Sequence, residues 1–449
     1  MLLRFKVANF RSFGSEVVLD LTASSDKSLL ENTFETPARE DGKPVRLLRS
    51  AAVFGANASG KSNLVKAMHA FRRCVVESAT SLNEGDPMPD IQPFIFDSEL
   101  KVGPSKFEVT VQVQSIVWRY GAQIDRARVV SEWLFQRRCI ARAPETLTFK
   151  RDGQKWTFGP SIDQADRALL EQRTRGNCLA LSKAAQEQVA ELVPLYRWFR
   201  SKVRVIDSAS DAVLMVAMAL SEVAETETRN GVLVEMARVA DLSITDLGGH
   251  FEEYEPPELL RSWLTERGQQ LPAAFRHPVV TVGRNSSKGN VSGHLPIEEE
   301  SEGTRRYLAQ ALVLRDALKN GHVVFWDEMD TSLHPLLVAE LVRVMNDDEL
   351  GFRGAQFVVA THSSQQLTNW QLRRDQIYFV EKKQNLESEL YSLWDFREKP
   401  RKEEVWERAY LLGRFGGIPI VGDLKSAILR DLEREDAMQS SVLNGASAS

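Results

Sequence analysis

The stretch Phe54–Asn63, FGANASGKSN, constrains this chain more than any other. It matches G-x-x-x-x-G-K-[ST], with Gly55, Gly60, Lys61 and Ser62 in the fixed positions. The run before it, RSAAVFG, is apolar and reads as a buried strand. The run after it, SNLVKAMHAFRRCVV, places Leu64, Met68 and Phe71 at helical spacing. Strand, loop and helix are the context in which this motif holds phosphate. Glycines let the backbone N–H groups of Gly55, Ala56, Asn57, Ala58, Ser59, Gly60, Lys61, Ser62 and Asn63 turn inward, and the helix adds its positive N-terminus. Lys61 is expected to reach the β and γ phosphates of a nucleotide, and the Ser62 hydroxyl to ligate Mg²⁺.

Three later stretches extend this reading. HVVFWDEMD (His322–Asp330) is a buried strand with Asp327 and Glu328 at its C-terminal end, where open α/β sheets bind their ligands. Asp327 suits Mg²⁺, and Glu328 suits orientation of an attacking water. FVVATHSSQQL (Phe357–Leu367) is a second such strand and delivers His362 to the same edge. Between loop and carboxylates, Glu298–Gly321 reads as an amphipathic helix capped by Ser301 and stopped at Asn320-Gly321. Its first turn, Ser301-Glu302-Gly303-Thr304, has small residues that allow an anion to approach. Gln92 is a candidate Mg²⁺-sensing glutamine, with Gln112, Gln114 and Gln123 as alternatives.

These pieces lie far apart in a chain of 449 residues. The organisation expected is an α/β lobe over 1–105, a β-meander over 106–160, a helical insertion over 161–283, a second α/β part over 284–437, and a flexible tail over 438–449. Residues 22–46 read as loop, and 284–293 as a turn-rich connection. The two α/β pieces are expected to share one sheet. The net charge of −5 gives no general attraction to nucleic acid, so a DNA-binding face would have to be local, as in YRWFRSKVR (Tyr196–Arg204). Cys74, Cys139 and Cys178 are scattered, which fits a reducing cytoplasm and no zinc site. The apolar run Ala212–Leu220 is too short to span a bilayer.

Taken together, FKVANFRSFG, FGANASGKSNL, SEGTRR, DEMDTSLHP, ATHS and AYLLGRFGGIPIV resemble the bacterial AAA/ABC-like ATPases of the abortive-infection and anti-phage class, of the AbiL, RloA and PARIS type. More distantly they are similar to RecF and SMC-type heads. The resemblance implies an ABC-type P-loop ATPase head that dimerises around two Mg-ATP. In such heads Ser301 and Gly303 would contact the partner's γ-phosphate, Asp330 would lie in the loop crossing to the partner, and His362 would be the switch histidine. It also implies a homodimer or higher homo-oligomer, a phage trigger and a separate effector nuclease (Toprim, RloB-like or HNH) encoded nearby. No long coiled coil and no fused nuclease are expected. A DNA-repair ATPase of the RecF/SMC kind, binding DNA, is the alternative.

Overall fold

The computed structural model describes residues 1–40, 42–207, 231–241, 243–254, 275–285, 292–396, 405–419 and 422–432. It divides into two units, residues 1–417 and 418–449. The described part of the second unit is a helix over 424–432 with Leu424, Ile428 and Leu432 exposed.

The first unit opens with β1 (Leu2–Ala8), β2 (Val17–Asp20), β3 (Thr33–Glu40), β4 (Lys43–Leu48) and β5 (Ser50–Phe54). The meander follows as β6 (Ser105–Val113), β7 (Ile116–Ile124), β8 (Val129–Arg138), β9 (Thr146–Asp152) and β10 (Lys155–Phe158). Then come β11 (Val203–Ile206), β12 (Ile244–Tyr254), β13 (Phe275–Asn285) and β14 (Ser292–Pro296). The last strands are β15 (Val323–Trp326), β16 (Gln356–Ala360), β17 (Ile377–Lys382) and β18 (Ser388–Ser392).

Two sheets carry the fold. One is antiparallel, in the order β10-β9-β8-β7-β6-β1-β2. The other runs β11-β15-β16-β5-β17-β18, parallel except for β18. The parallel strands β5, β15 and β16 are buried throughout, as sheets covered on both faces require. The Lys61–Glu77 helix packs between the sheets. Its Phe71 ring stacks on Phe107 at 5.3 Å and on Tyr120 at 5.6 Å, and meets Phe199 edge-on at 5.5 Å. Burying each such ring contributes about 1.5–3 kcal/mol, and here it fixes the helix that follows the phosphate loop.

The structure differs from the sequence reading in three places. Residues 22–46 are not all loop: β3 and β4 form a hairpin whose Ala38, Val45 and Leu47 bury against Leu3 and Val117. Threonines, Pro37 and a register shift between Glu35 and Arg39 hide its alternation. The β1 strand joins the antiparallel sheet, pairing Phe5 with Val109, so β5 represents the N-terminal piece in the parallel sheet. Finally, 161–283 is not purely helical. It holds helices Gln164–Arg173, Ala180–Gln186, Val193–Arg197 and Gly231–Ala240. It also supplies β11, beside β15, and the antiparallel pair β12–β13. β11 is four residues long and carries two arginine-flanking valines, too short to show a period. Ala212–Leu220, 286–291 and the tail 438–449 lie outside the described residues.

Candidate functional site

The parallel ladder aims the loops after β5, β15 and β16 at one edge. β5 ends at buried Phe54 and enters the phosphate loop through Gly55 at φ 156°. A Cβ at Gly55 would stand 2.4 Å from the Val380 carbonyl, so this close approach requires glycine. At Gly60, φ is 116° and a Cβ would meet the hydroxyls of Ser12 and Ser388, each at 2.6 Å. Ala58 sits at φ 60°, a left-handed conformation costing roughly 1–2 kcal/mol for a non-glycine residue. Asn57 and Ala58 are exposed at the loop's tip, whereas Ser59 is buried with no partner for its hydroxyl.

Lys61 opens the helix and is 5% exposed. Its ammonium donates to the carbonyls of Gly55 at 2.7 Å and Ala56 at 3.0 Å, and lies 3.4 Å from His362 Nδ1. Burial pulls its pKa down to about 8, opposed by the carboxylates of Asp327, Asp330 and Glu328. The Asp327 amide donates to the Ile206 carbonyl at 2.8 Å, extending the β11–β15 pairing by one step. Burial raises the Asp327 pKa, opposed by the Ser62 hydroxyl bonded to it and assisted by the like charge of Glu328. Glu328 is exposed and held at φ 51°. One Asp330 oxygen, Oδ2, accepts from the His362 amide at 3.1 Å, while the other is buried without a partner.

The structure thus gathers Lys61, Ser62, Asp327, Asp330 and His362 at the strand ends, with Glu328 beside them. The Ser301 region stands apart. Ser301 caps its helix, Oγ accepting from the Thr304 amide at 3.1 Å, and Gly321 ends it at φ 63°. A Cβ at Gly303 would lie 2.8 Å from the Ser332 carbonyl, with no phosphate-loop atom within 4 Å. Farther along, Gln310 donates to the Met329 carbonyl at 2.8 Å, which ties this helix to the loop after Glu328. Gln92 is exposed. Its carbonyl accepts from the Arg11 amide at 2.7 Å, and it lines a cleft of about 580 Å³ with Arg11, Ser12, Asn63, Phe96 and Arg126. Gln112 and Gln123 are occupied within the antiparallel sheet region by Ala38 and Ser131.

Of the residues that support the site, Ser388 carries no signal in the sequence, whereas Ser12 and Asn9 belong to the FKVANFRSFG stretch. Ser388 donates its hydroxyl to the Ser59 carbonyl and its amide to the Ser12 carbonyl at 2.7 Å, and Ser12 Oγ accepts from Asn63 at 2.8 Å. Two serines therefore back the phosphate loop from β18 and from the N-terminal segment. Asn9 instead ties down the following loop, accepting from the Phe94 amide at 2.9 Å and donating to the Leu100 carbonyl at 2.7 Å.

Chemically, the site offers a buried ammonium and an orphaned Ser59 hydroxyl on a glycine cradle at a helix N-terminus, which fits an anion of the phosphate kind. Ser62 and Asp327 present two adjacent oxygens, which suits Mg²⁺, an ion that retains several waters and takes few protein ligands. No cluster of three or more metal-ligating His, Cys, Asp or Glu side chains occurs among the described residues. No helix among them is long and apolar enough to cross a membrane.

A parallel sheet with a phosphate loop after β5, paired carboxylates after β15 and a histidine after β16 defines an AAA/ABC-like ATPase head. The chain belongs to the family described as "AAA domain, putative AbiEii toxin, Type IV TA system", whose model matches residues 50–201 and 250–367. No curated protein matches it. Among solved structures it is similar to the Smc head domain with an extended coiled coil bound to the C-terminal domain of ScpA, from Pyrococcus furiosus. That likeness has 14% identity over 87% of this chain and 96% of that one, with a TM-score of 0.36. It is also similar to the recombination mediator RecF–ATP of the RecFOR pathway, at 12% identity over 87% and 97% of the two chains, with a TM-score of 0.28. Both likenesses are remote.

Proposed function

We propose that this chain binds Mg-ATP on the phosphate loop and hydrolyses it as a head-to-head dimer. The observation that carries this reading is the buried Lys61 ammonium, set among three carboxylates and resting on loop carbonyls. On binding, Lys61 exchanges those carbonyls for the β and γ phosphates. Ser62 and Asp327 would hold Mg²⁺, which supplies charge neutralisation at the phosphates. Glu328 orients and polarises the attacking water, and His362, its amide pinned by Asp330, faces the γ-phosphate. Ser301 and Gly303 lie at a helix N-terminus that stabilises an anion; in the dimer that anion is the partner's γ-phosphate. Glu328→Gln should keep ATP binding, lose roughly 10²–10⁴-fold in turnover, and accumulate as an ATP-bound dimer in light scattering. Wild-type turnover by this variant, or a monomer at saturating ATP, would contradict the assignment.

The role we favour is restraint of a separate effector nuclease in an anti-phage system. It is supported by the motif set above and by the family's description, which names a putative AbiEii toxin and a type IV TA system. A ligand shifts such a complex only through its differential affinity for two states, so ATP must change the effector's affinity. Co-expression with the neighbouring gene should give a stable complex, and Lys61→Ala should remove phage protection without lowering protein level. Full protection by this gene alone in a host lacking the neighbour would sink the role while leaving the ATPase intact.

A further inference from the structure

The C-terminal stretch Val405–Gly417 takes no part in the chemistry above, yet it lies against both loops of the site. At one end, Gly417 has φ 66°, and a Cβ there would stand 3.5 Å from the Val380 carbonyl and 3.6 Å from Gly55 Cα. Val380 is the same carbonyl that forces glycine at position 55. Gly416, at φ 68°, is tighter: a Cβ would meet Tyr391 Oη at 2.4 Å and Glu381 Oε2 at 2.6 Å. Tyr410 donates its hydroxyl to the Gly417 carbonyl at 3.0 Å, and Tyr391 to the Phe415 carbonyl at 2.9 Å. The Tyr410 ring stacks on Phe379 at 5.4 Å and lies 6.4 Å from Phe54, the residue before Gly55. At the other end, Trp406 is buried and Glu407 Oε1 accepts from Ser364 Oγ at 2.9 Å. Ser364 begins the turn two residues after His362.

We infer that Val405–Gly417 is a brace joining the phosphate loop to the histidine loop, in which Glu407 acts through Ser364 as a positioning residue for His362. The inference rests on the ATPase reading and adds a residue to it. His362 is held on one side by Asp330, through its amide, and on the other by the Ser364–Glu407 tie. Each tie fixes the backbone from which the imidazole projects. Misplacement of a group by 1 Å costs up to about 10²-fold in rate. Removing the Ser364–Glu407 tie should therefore cost on the order of tenfold in kcat, with little change in ATP affinity, because the Ser388 support of the phosphate loop is untouched.

The test is steady-state ATP turnover by the full chain, with thermal melting alongside, for wild type, Glu407→Ala, Glu407→Gln, Ser364→Ala and the Glu407→Ala/Ser364→Ala double variant. Glu407→Ala should lower kcat and leave KM unchanged. Glu407→Gln should restore kcat, since its amide oxygen accepts the same hydrogen bond. Ser364→Ala should match Glu407→Ala, and the double variant should be no worse than either single one, as residues sharing one bond are non-additive. A kcat for Glu407→Ala within twofold of wild type, no rescue by Glu407→Gln, or additive losses would overturn the brace while wild-type turnover still upheld the ATPase. A wild-type chain with no turnover at all would overturn the ATPase reading and the brace with it.

Discussion

Each of the two main sheets buries a cation against carboxylates, and they do so in opposite ways. On the antiparallel sheet, Arg151 is 1% exposed and Glu132 fully buried, with Nε and Oε2 at 2.9 Å. Glu132 is saturated: it also accepts from Tyr120 Oη at 2.8 Å and from the amides of Ala180 at 2.8 Å and Leu181 at 3.2 Å. The pair ties β8 and β9 to the start of the Ala180–Gln186 helix. On the parallel sheet, Lys61 touches no carboxylate by hydrogen bond. It rests on two carbonyls, while an Asp330 oxygen and the Ser59 hydroxyl stay unpartnered. Buried polar groups in folded chains are normally satisfied, and exceptions need a reason. The pair, filled at Glu132 although Arg151 Nη1 has no partner, holds the fold. The open set is arranged for a charge that comes and goes.

Removal of one charge from each set should separate the two roles most sharply. Glu132→Ala leaves the Arg151 guanidinium buried without its counter-ion, which costs about 3–5 kcal/mol. Its melting temperature should fall steeply, and ATP binding should be lost only where the chain unfolds. Lys61→Ala removes a desolvated ammonium that the fold does not need. Its melting temperature should match or exceed wild type, while calorimetry shows no ATP binding. A well-folded, fully stable Glu132→Ala chain, or a Lys61→Ala chain that binds ATP normally, would dissolve the contrast.

The contrast also explains what could be read from the sequence. Gly55–Ser62, Asp327-Glu328 and His362 are legible because each follows a short apolar strand, and a strand end plus a motif fixes both place and chemistry. Ser301 was legible as a cap because capping is local. The β3–β4 hairpin was not, because its buried residues include threonines and an alanine that carry little hydrophobic signal. Ser388 was illegible for another reason: it supports Ser59 from 329 residues away, on a strand whose own pattern says nothing of phosphate. The Glu132–Arg151 pair lay inside the meander as two ordinary strand charges, and only burial distinguishes it from the exposed Lys150–Asp152 pair beside it. The tie from Glu407 to Ser364 is of the same long-range kind.

A smaller effect tests the open site most directly. With its pKa lowered to about 8, Lys61 is only partly protonated at pH 8 in the free chain. Phosphates favour the charged form and would raise that pKa, so ATP binding at pH 8 must take up a proton, roughly half of one per site by linkage. By the same sign, ATP affinity should fall as pH rises above about 8. The native chain, holding fewer protons at Lys61 than the unfolded one, should gain stability between about 8 and the ordinary lysine value of 10.5. The measurement is calorimetric titration of the wild-type chain with Mg-ATP at pH 8 in two buffers of different ionisation enthalpy. The heats should differ between the buffers with the sign of proton uptake. Identical heats, or heats with the sign of release, would contradict the claim that Lys61 waits as an open charge for phosphate.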